Sequence, residues 1–514
     1  MQCRALPNPL AFLALTAASL VPIWLVGHVP TQDGPSHLSN AFILRELGRP
    51  GSRLDEFYER RLEPIPNWTV SVLLIGLMSV IPPIAAGKVI LAIEVAGFAW
   101  SYRWFLGAFE GKGRAPWLVP ASAALLIGYH RGLLLGFSNY VLSLSLAWSL
   151  LGGAARRGPA FGPRDLAWAM PLLLLSYITH PLGLGIGLLG SAWFVADLRS
   201  TPRGLGWLLL SAMPVLGLSA WYLGSSGHVE TSSGAAAWTW PPAWWTDSAG
   251  SPLSAGLHDL DSQLFGAYAG EGSPLGLLSL IFLATVAVSG LAEGKEGVSV
   301  GQSARRRAMT LGLLLATVHA LLPEHLGARG GFLGVRLPPM FVLLGLAGLP
   351  KPRSRAIRRA VEVGALLLLG LQLALLTGYF RSESARIEEY TAAVSAIGEG
   401  RTIAAFGQEA GAETLVNPIE HAVDLYCLGS GNVDLGNYEA ATNHFPVRFR
   451  GGSRTGFGDL ASRRRAEVIV LWMEYPWRLP QLGPEYRELF ARGRLRVLER
   501  WGPDRVGDVQ GDPR

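Results

Sequence analysis

Charge is scarce in this chain and cysteine is nearly absent. Only 16% of its 514 residues are Asp, Glu, Lys or Arg, against the ~25% of soluble domains. Half of the residues are hydrophobic, and mean hydropathy is +0.30. The shortage is uneven. Residues 1–380 are apolar blocks with short charged breaks, whereas 381–514 have a soluble composition. An all-soluble protein is thereby excluded, and a polytopic membrane protein with an appended domain is implied. The two cysteines, Cys3 and Cys427, sit at the N-terminus and in the tail and are expected on opposite sides of the membrane. That leaves no disulfide or metal–thiolate framework. GxGxxG, P-loop and HExxH motifs are missing at usable positions, as is any internal repeat. No cofactor is implied, and a divalent metal stays open. The net charge of +6 does not signal nucleic acid. Lys and Arg fall mostly in short loops beside apolar runs, where topology explains them, and no basic stripe interleaved with aromatics occurs.

Apolar runs near 9–28, 67–86, 88–109, 117–129, 133–152, 166–179, 181–198, 204–224, 274–292, 308–325, 333–350 and 360–380 are candidate spans. The first lacks a small-x-small cleavage site before Pro30 and reads as a retained helix. Several runs are shorter than the ~20 residues a straight span needs. Two pairs are broken, at Tyr129-His130-Arg131-Gly132 and at Thr179-His180-Pro181. Broken helices are tolerated where protein or a water-filled cavity satisfies the backbone, so a cavity near one face is expected. Arg156, Arg157 and Arg164, Arg199 and Arg203, the 305–307 arginines and the basic 351–359 stretch mark cytoplasmic loops, while 225–273 contains no Lys or Arg. This places the 29–66 and 225–273 loops, both breaks and the tail outside. Twelve runs cannot join an inner N-terminus to an outer tail, so 11 or 13 spans are expected.

The first outer loop carries Pro30-Thr31-Gln32-Asp33-Gly34-Pro35-Ser36-His37. An external Asp beside the membrane suits proton removal from an acceptor hydroxyl or amine, and a His four residues on shares its helix face. The competing reading makes Asp33 a helix cap, with Gly34-Pro35 as the entry turn, and His37 a surface residue. The following residues, Leu38, Ala41, Phe42, Leu44 and Leu47, recur at helical spacing between charges, as in an interfacial helix. His130, Arg131, Asn139, Tyr140 and His180 mark the breaks and form either the rim of a substrate cavity or helix ends reaching for water. Glu324, His325, Arg329 and Arg336 form a third set. Arg336 lies within an apolar run, where an Arg binds an anion, pairs (Glu94 is the intramembrane candidate) or snorkels. A lipid phosphate is the anion that its bidentate fork fits. Segment 238–245 has four tryptophans in eight residues, suited to interfacial anchoring or to stacking on a sugar. The tail alternates strand candidates at 402–406, 467–472 and 495–501 with helix candidates at 383–398, 411–428 and 484–492, and its 432–439 stretch suits a binding loop.

The early outer loop with its acid, the helix after it, the short paired helices and the external α/β tail resemble the C-type (GT-C-like) polytopic membrane glycosyltransferases. Members usually show an acid pair in that loop, whereas Gly34 holds the second position here. The resemblance implies an α-helical polytopic membrane protein of about 11–13 transmembrane helices (residues 1–380) with a C-terminal soluble, extracytoplasmic α/β domain (381–514). It implies transfer of a sugar from a polyprenyl-phosphate-linked donor, in the cytoplasmic (inner) membrane, to an external glycan or envelope-protein acceptor. Asp33 would be the base and His37 its assistant. His130, Arg131, Asn139 and His180 would bind substrate, and Arg329 or Arg336 would clamp phosphate. A transporter of a lipid-linked substrate and a non-catalytic assembly protein are the alternatives. The absence of a repeat and the single clear midspan acid disfavour the transporter.

The loop charges predict that cysteines introduced in 29–66 and in the tail react with an impermeant thiol reagent in intact cells, while one beside Arg305 does not. Labelling of the tail and of the Arg305 loop from the same side contradicts this topology.

Overall fold

The computed structural model describes residues 8–110, 118–196, 203–225, 259–270, 274–292, 300–321, 333–349, 351–352, 354–408, 415–442, 444–450, 466–473 and 485–501. The described chain is mostly helical, with a sheet in its C-terminal region. It divides into two compact units: residues 1–26, 64–70 and 88–381, and residues 27–63, 71–87 and 382–514.

In chain order the longer helices are α1 (Asn8–Trp24), α2 (Gly34–Glu46), α3 (Thr69–Met78), α4 (Pro83–Leu106), α5 (Leu118–Ile127), α6 (Ser138–Arg157), α7 (Leu166–Thr179), α8 (Pro181–Val195), α9 (Arg203–Ser225), α10 (Pro274–Ala292), α11 (Val300–Leu321), α12 (Pro338–Gly348) and α13 (Arg355–Tyr390). Among the described residues, three helical segments are long and apolar enough to cross a membrane: Pro83–Leu106, Arg203–Ser225 and Arg355–Ile397. The expected breaks are present. α5 ends ahead of a one-turn helix, Arg131–Leu134, and α7 gives way to α8 at His180-Pro181.

The first unit is held by close helix packing. Gly183 of α8 lies against Ser143, and Gly187 against Leu150 and Ala147, all of α6. A Cβ at Gly183 would overlap the Ser143 side chain, so glycine sets how near α8 can approach α6.

The second unit contains a five-stranded sheet ordered β3-β2-β5-β7-β6: Val433–Asp434, Thr402–Gln408, Val468–Met473, Leu495–Arg500 and Tyr486–Arg492. The first three strands run parallel, and β7 pairs antiparallel with β5 and β6. β5 is buried along its whole length, in keeping with the sequence Val-Ile-Val-Leu-Trp-Met of a central strand covered on both faces. β6 is the charged, largely exposed edge, a composition that resists pairing with another chain. The 484–492 segment was expected to be helical, since Glu, Leu and Arg favour helix. Antiparallel pairing with β7 across the Gly493 turn (φ +52°) makes it a strand instead. Residues 415–428 likewise form turns and a short 3₁₀ stretch, Ala422–Cys427, rather than the expected helix.

α2 departs from the interfacial helix that its apolar spacing suggests. Ten of its 13 residues, Pro35 to Leu44, are buried, with Ser36, His37, Ser39 and Asn40 among them. Asn40 explains how polar side chains are accommodated. Its amide donates to Asn437 Oδ1 at 3.3 Å, and Asn437 donates back to Asn40 Oδ1 at 2.9 Å. A two-stranded ribbon pairs β1 (Tyr58–Arg60) with β4 (Val447–Phe449), and Tyr58 donates to the Asp434 carbonyl at 2.9 Å.

Asn437→Ala removes both amide bonds and the acceptor for the Ala440 N–H. A loss of about 1–3 kcal/mol is expected, the cost of stranding buried polar groups. Thermal or urea unfolding of the purified protein measures it. A loss below about 0.5 kcal/mol, the size of a surface substitution, contradicts the role given to this pair.

Candidate functional site

Asp33 immediately precedes α2, and its side chain makes no capping hydrogen bond to that helix. The cap reading is therefore not realised. Gly34 opens the helix where a Cβ would collide with Thr31 Oγ1. A second acid beside Asp33 would thus displace Thr31, and acids arrive instead from elsewhere in the same unit.

Asp33 is 8% exposed and accepts a hydrogen bond from the Tyr438 phenol. His421 Nε2 is 3.6 Å from Asp33 Oδ1. The His421 ring lies on Tyr438, centroids 4.5 Å apart and planes 33° apart, and Phe445 meets Tyr438 edge-on at 6.0 Å. His37, one turn into α2, brings Nδ1 within 2.6 Å of Glu439 Oε1, and Glu439 is 1% exposed. Helical spacing thus sends two α2-end side chains to two consecutive residues of one loop, Asp33 to Tyr438 and His37 to Glu439.

Burial pushes the Asp33 carboxyl up to about 7. His37 and the Tyr438 bond hold it down, and the Glu439 and Glu420 charges add to the rise. Burial, with the His37 charge, pushes His421 down to about 4. His421 is therefore neutral near pH 7, and its contact with Asp33 is polar rather than ionic. Behind this layer lies a second pair of acids. Burial raises Asp434 to about 7, and burial plus the Asp434 charge raises Asp424, whose carboxylate is favoured by a Ser36 hydrogen bond. A carboxyl placed as Asp33 is takes up or releases a proton near neutral pH, the property required of a general base or acid. Among the described residues no group of three or more His, Cys, Asp or Glu could hold a metal ion.

The break residues gather in the first unit around the Tyr140 ring. His130 lies 6.4 Å from it and His180 5.7 Å, centroid to centroid. The Arg336 guanidinium stands 5.5 Å above Tyr140 and 4.9 Å above Phe137, and the Tyr140 hydroxyl donates to the Arg336 carbonyl. His180 also caps α8, its Nδ1 accepting from Leu182 N at 3.2 Å. Arg131 reaches Gln263 at 3.5 Å. Asn139 bonds to backbone, accepting from Val70 N at 3.0 Å and donating to the Asn67 carbonyl at 3.3 Å. Its described contacts are those of a helix tie. Arg329, Glu324, His325 and the tryptophan-rich 238–245 segment lie outside the described residues.

Sequence reasoning missed His421, Asp424, Tyr438 and Glu439 as site residues. Tyr438 and Glu439 belong to the stretch read as a binding loop, so a signal existed there. His421 and Asp424 stood in a segment expected to be an ordinary helix and had none.

No family model matches the chain, and no curated protein is similar to it. Solved structures of the mycobacterial arabinofuranosyltransferase AftD align with it. One cryo-EM structure matches at 14% identity and a TM-score of 0.47, and a second, of the R1389S mutant, at 14% and 0.46. The alignments cover 97% and 98% of this chain and 40% and 42% of AftD, so the chain spans about two-fifths of AftD's length.

Because the folded state binds the Asp33 proton more tightly than the unfolded chain does, Asp33 makes folding less favourable as pH rises from about 4 to about 7. At pH 5 Asp33 is protonated, and Asp33→Asn is a near-isostere. At pH 8 the wild type buries a charge that the variant lacks. Relative to wild type, Asp33→Asn should therefore gain on the order of 2–3 kcal/mol between pH 5 and pH 8. Taking the difference between the two proteins cancels the contributions of groups that do not interact with Asp33. Paired urea titrations at both pH values measure it. A difference that stays constant with pH shows Asp33 ionising like an exposed carboxylate.

Proposed function

We propose that this protein is a membrane glycosyltransferase of the GT-C-like type. It moves a sugar from a polyprenyl-phosphate-linked donor to an acceptor outside the cytoplasmic membrane, with the second unit, carrying Asp33, on the external side. The observation that carries the reading is Asp33 itself, a carboxyl built to exchange a proton near pH 7 and oriented by the Tyr438 phenol. In the reaction the acceptor oxygen attacks the anomeric carbon of the donor sugar, its proton passes to Asp33, and the bond from that carbon to the phosphate oxygen breaks. The polyprenyl phosphate leaves with the electron pair. Glu439 holds the His37 imidazole, whose charge favours the ionised, proton-accepting form of Asp33. Within the first unit, Arg336, its guanidinium framed by Phe137 and Tyr140, suits a lipid phosphate, with His130 and His180 set against the same Tyr140 ring. The apolar helices that can cross a membrane fit a lipid-linked donor.

Asp33→Asn is expected to lower transfer from a prenyl-phosphate-linked sugar by about 10²–10⁴-fold, the usual weight of a general base, with an unchanged gel-filtration profile. The wild-type rate should rise through pH ~7 as Asp33 ionises. Tyr438→Phe should move that midpoint upward, because the phenol stabilises the carboxylate. Near-wild-type transfer by Asp33→Asn removes the base from this scheme.

A further inference from the structure

A second feature of the sheet-bearing unit has no part in the proton chemistry. A cavity of about 280 Å³ lies against β2 and β5 and is lined by Tyr390, Ala405, Gly407, Asn417, Ile419, Glu420 and Trp472. Its place follows from topology. β2 pairs in parallel with β3 on one side and with β5 on the other. Where the direction of winding reverses, the connections leave the strand ends on opposite faces and open a crevice, which is where ligands bind in such sheets. Gly407 and Trp472, near the carboxyl ends of β2 and β5, are register partners. Ala405 and Gly407 alternate on the same face of β2. A Cβ at Gly407 would meet open space. Two small residues in succession thus leave room beside the indole.

The lining chemistry narrows the ligand. Trp472 is 1% exposed, and its Nε1–H is buried with no acceptor among the described residues. Asn417 Oδ1 already accepts from Ile419 N at 3.1 Å, so this side chain offers a ligand its amide N–H. Glu420 supplies acceptors. A ligand that meets all three must both accept and donate. A hydroxylated ring does so, and its C–H face suits the flanking Tyr390 and Trp472. The described lining contains no Lys or Arg to hold a phosphate. An amine would meet Glu420 and leave the donors unmet. The volume, at the small end of the ~300–1,000 Å³ typical of ligand pockets, suits one monosaccharide unit rather than a nucleotide.

We propose that this cavity is a subsite for one neutral sugar residue of the acceptor. Its position supports that role. The Asn417 N–H donates to Gln32 Oε1 at 3.0 Å, next to Asp33, and Glu420 adjoins His421. Glu420, which lines the cavity, also lies near enough for its charge to act on Asp33. Sugar binding rests on the cavity alone, and only the word acceptor rests on the transferase reading.

Ligand-observed NMR on the full-length protein in nanodiscs tests it, with the methyl glycosides of glucose, galactose, mannose, xylose and arabinose, butylamine, and inorganic phosphate as probes. At least one glycoside should bind saturably, while butylamine and phosphate do not. Gly407→Val introduces a β-branched residue in a strand, where it is favoured, and fills the cavity. It should weaken the glycoside at least about tenfold with an unchanged melting temperature. Ala405→Leu is the second cavity-filling variant should Gly407→Val melt early. Failure of every glycoside to saturate, equal binding by a folded cavity-filling variant, or preferential binding of butylamine or phosphate overturns the proposal. Binding is read without turnover, so the two readings separate. Glycoside binding by a chain that transfers no sugar keeps the subsite and refutes the enzyme, and transfer by a chain that binds no glycoside does the reverse.

Discussion

Reciprocal amide bonding between Asn40 and Asn437 joins residues 397 positions apart. It seats Asn40 of α2 in the second unit, and the other buried polar side chains of that helix find partners on the same late segment, His37 on Glu439 and Ser36 and Ser39 on Asp424. Amides are suited to this contact. Each offers a donor and an acceptor, so two can satisfy one another without a net charge. With α2 fixed, Asp33 and His37 fall one turn apart against Tyr438 and Glu439. The β1–β4 ribbon and the Tyr58 bond to the Asp434 carbonyl hold the same two stretches together a few residues further along.

What this anchoring supports is an electrostatically costly cluster. Asp33, Asp424, Asp434 and Glu439 are all nearly buried, and His37 sets an imidazole against Glu439. Isolated buried carboxylates are expensive and respond by holding their protons. The protein absorbs that cost through hydrogen bonds from Tyr438, Ser36 and the Gly436 N–H. Stability and acid–base reactivity are therefore opposed at this site, as is common where a fold carries chemistry.

Parts of this arrangement were legible in the sequence. The segments 402–406, 467–472 and 495–501 marked three strands, the middle one as a short continuous apolar run after Glu467 and the last by the near-alternation of apolar and charged residues from Leu495. The 484–492 segment was misread because its intrinsic preference is helical and only its partner β7 makes it a strand. Asp33 and His37 stood out because acids and histidines are rare beside apolar runs. The burial of α2 was hidden. Ser36, Ser39 and Asn40 look like a wetted helix face until partners far along the chain are known, and no local pattern reports a contact of that range. His421 and Asp424 were hidden for the same reason, since their significance lies wholly in what they touch.

The discontinuity of the second unit also bears on how the protein is made. Between its early and late segments lie roughly 290 residues, which a ribosome adding about 5–20 residues per second takes roughly 15–60 s to produce. Throughout that interval α2 has no Asn437 and Asp33 has no Tyr438. The polar side chains of α2 must stay hydrated or chaperoned, and Asp33 has the ordinary proton affinity of an exposed carboxylate. Its altered proton affinity arises only when the late segment docks. The raised proton affinity of Asp33 is thus a property that the chain gains only after residues 420–439 have been made.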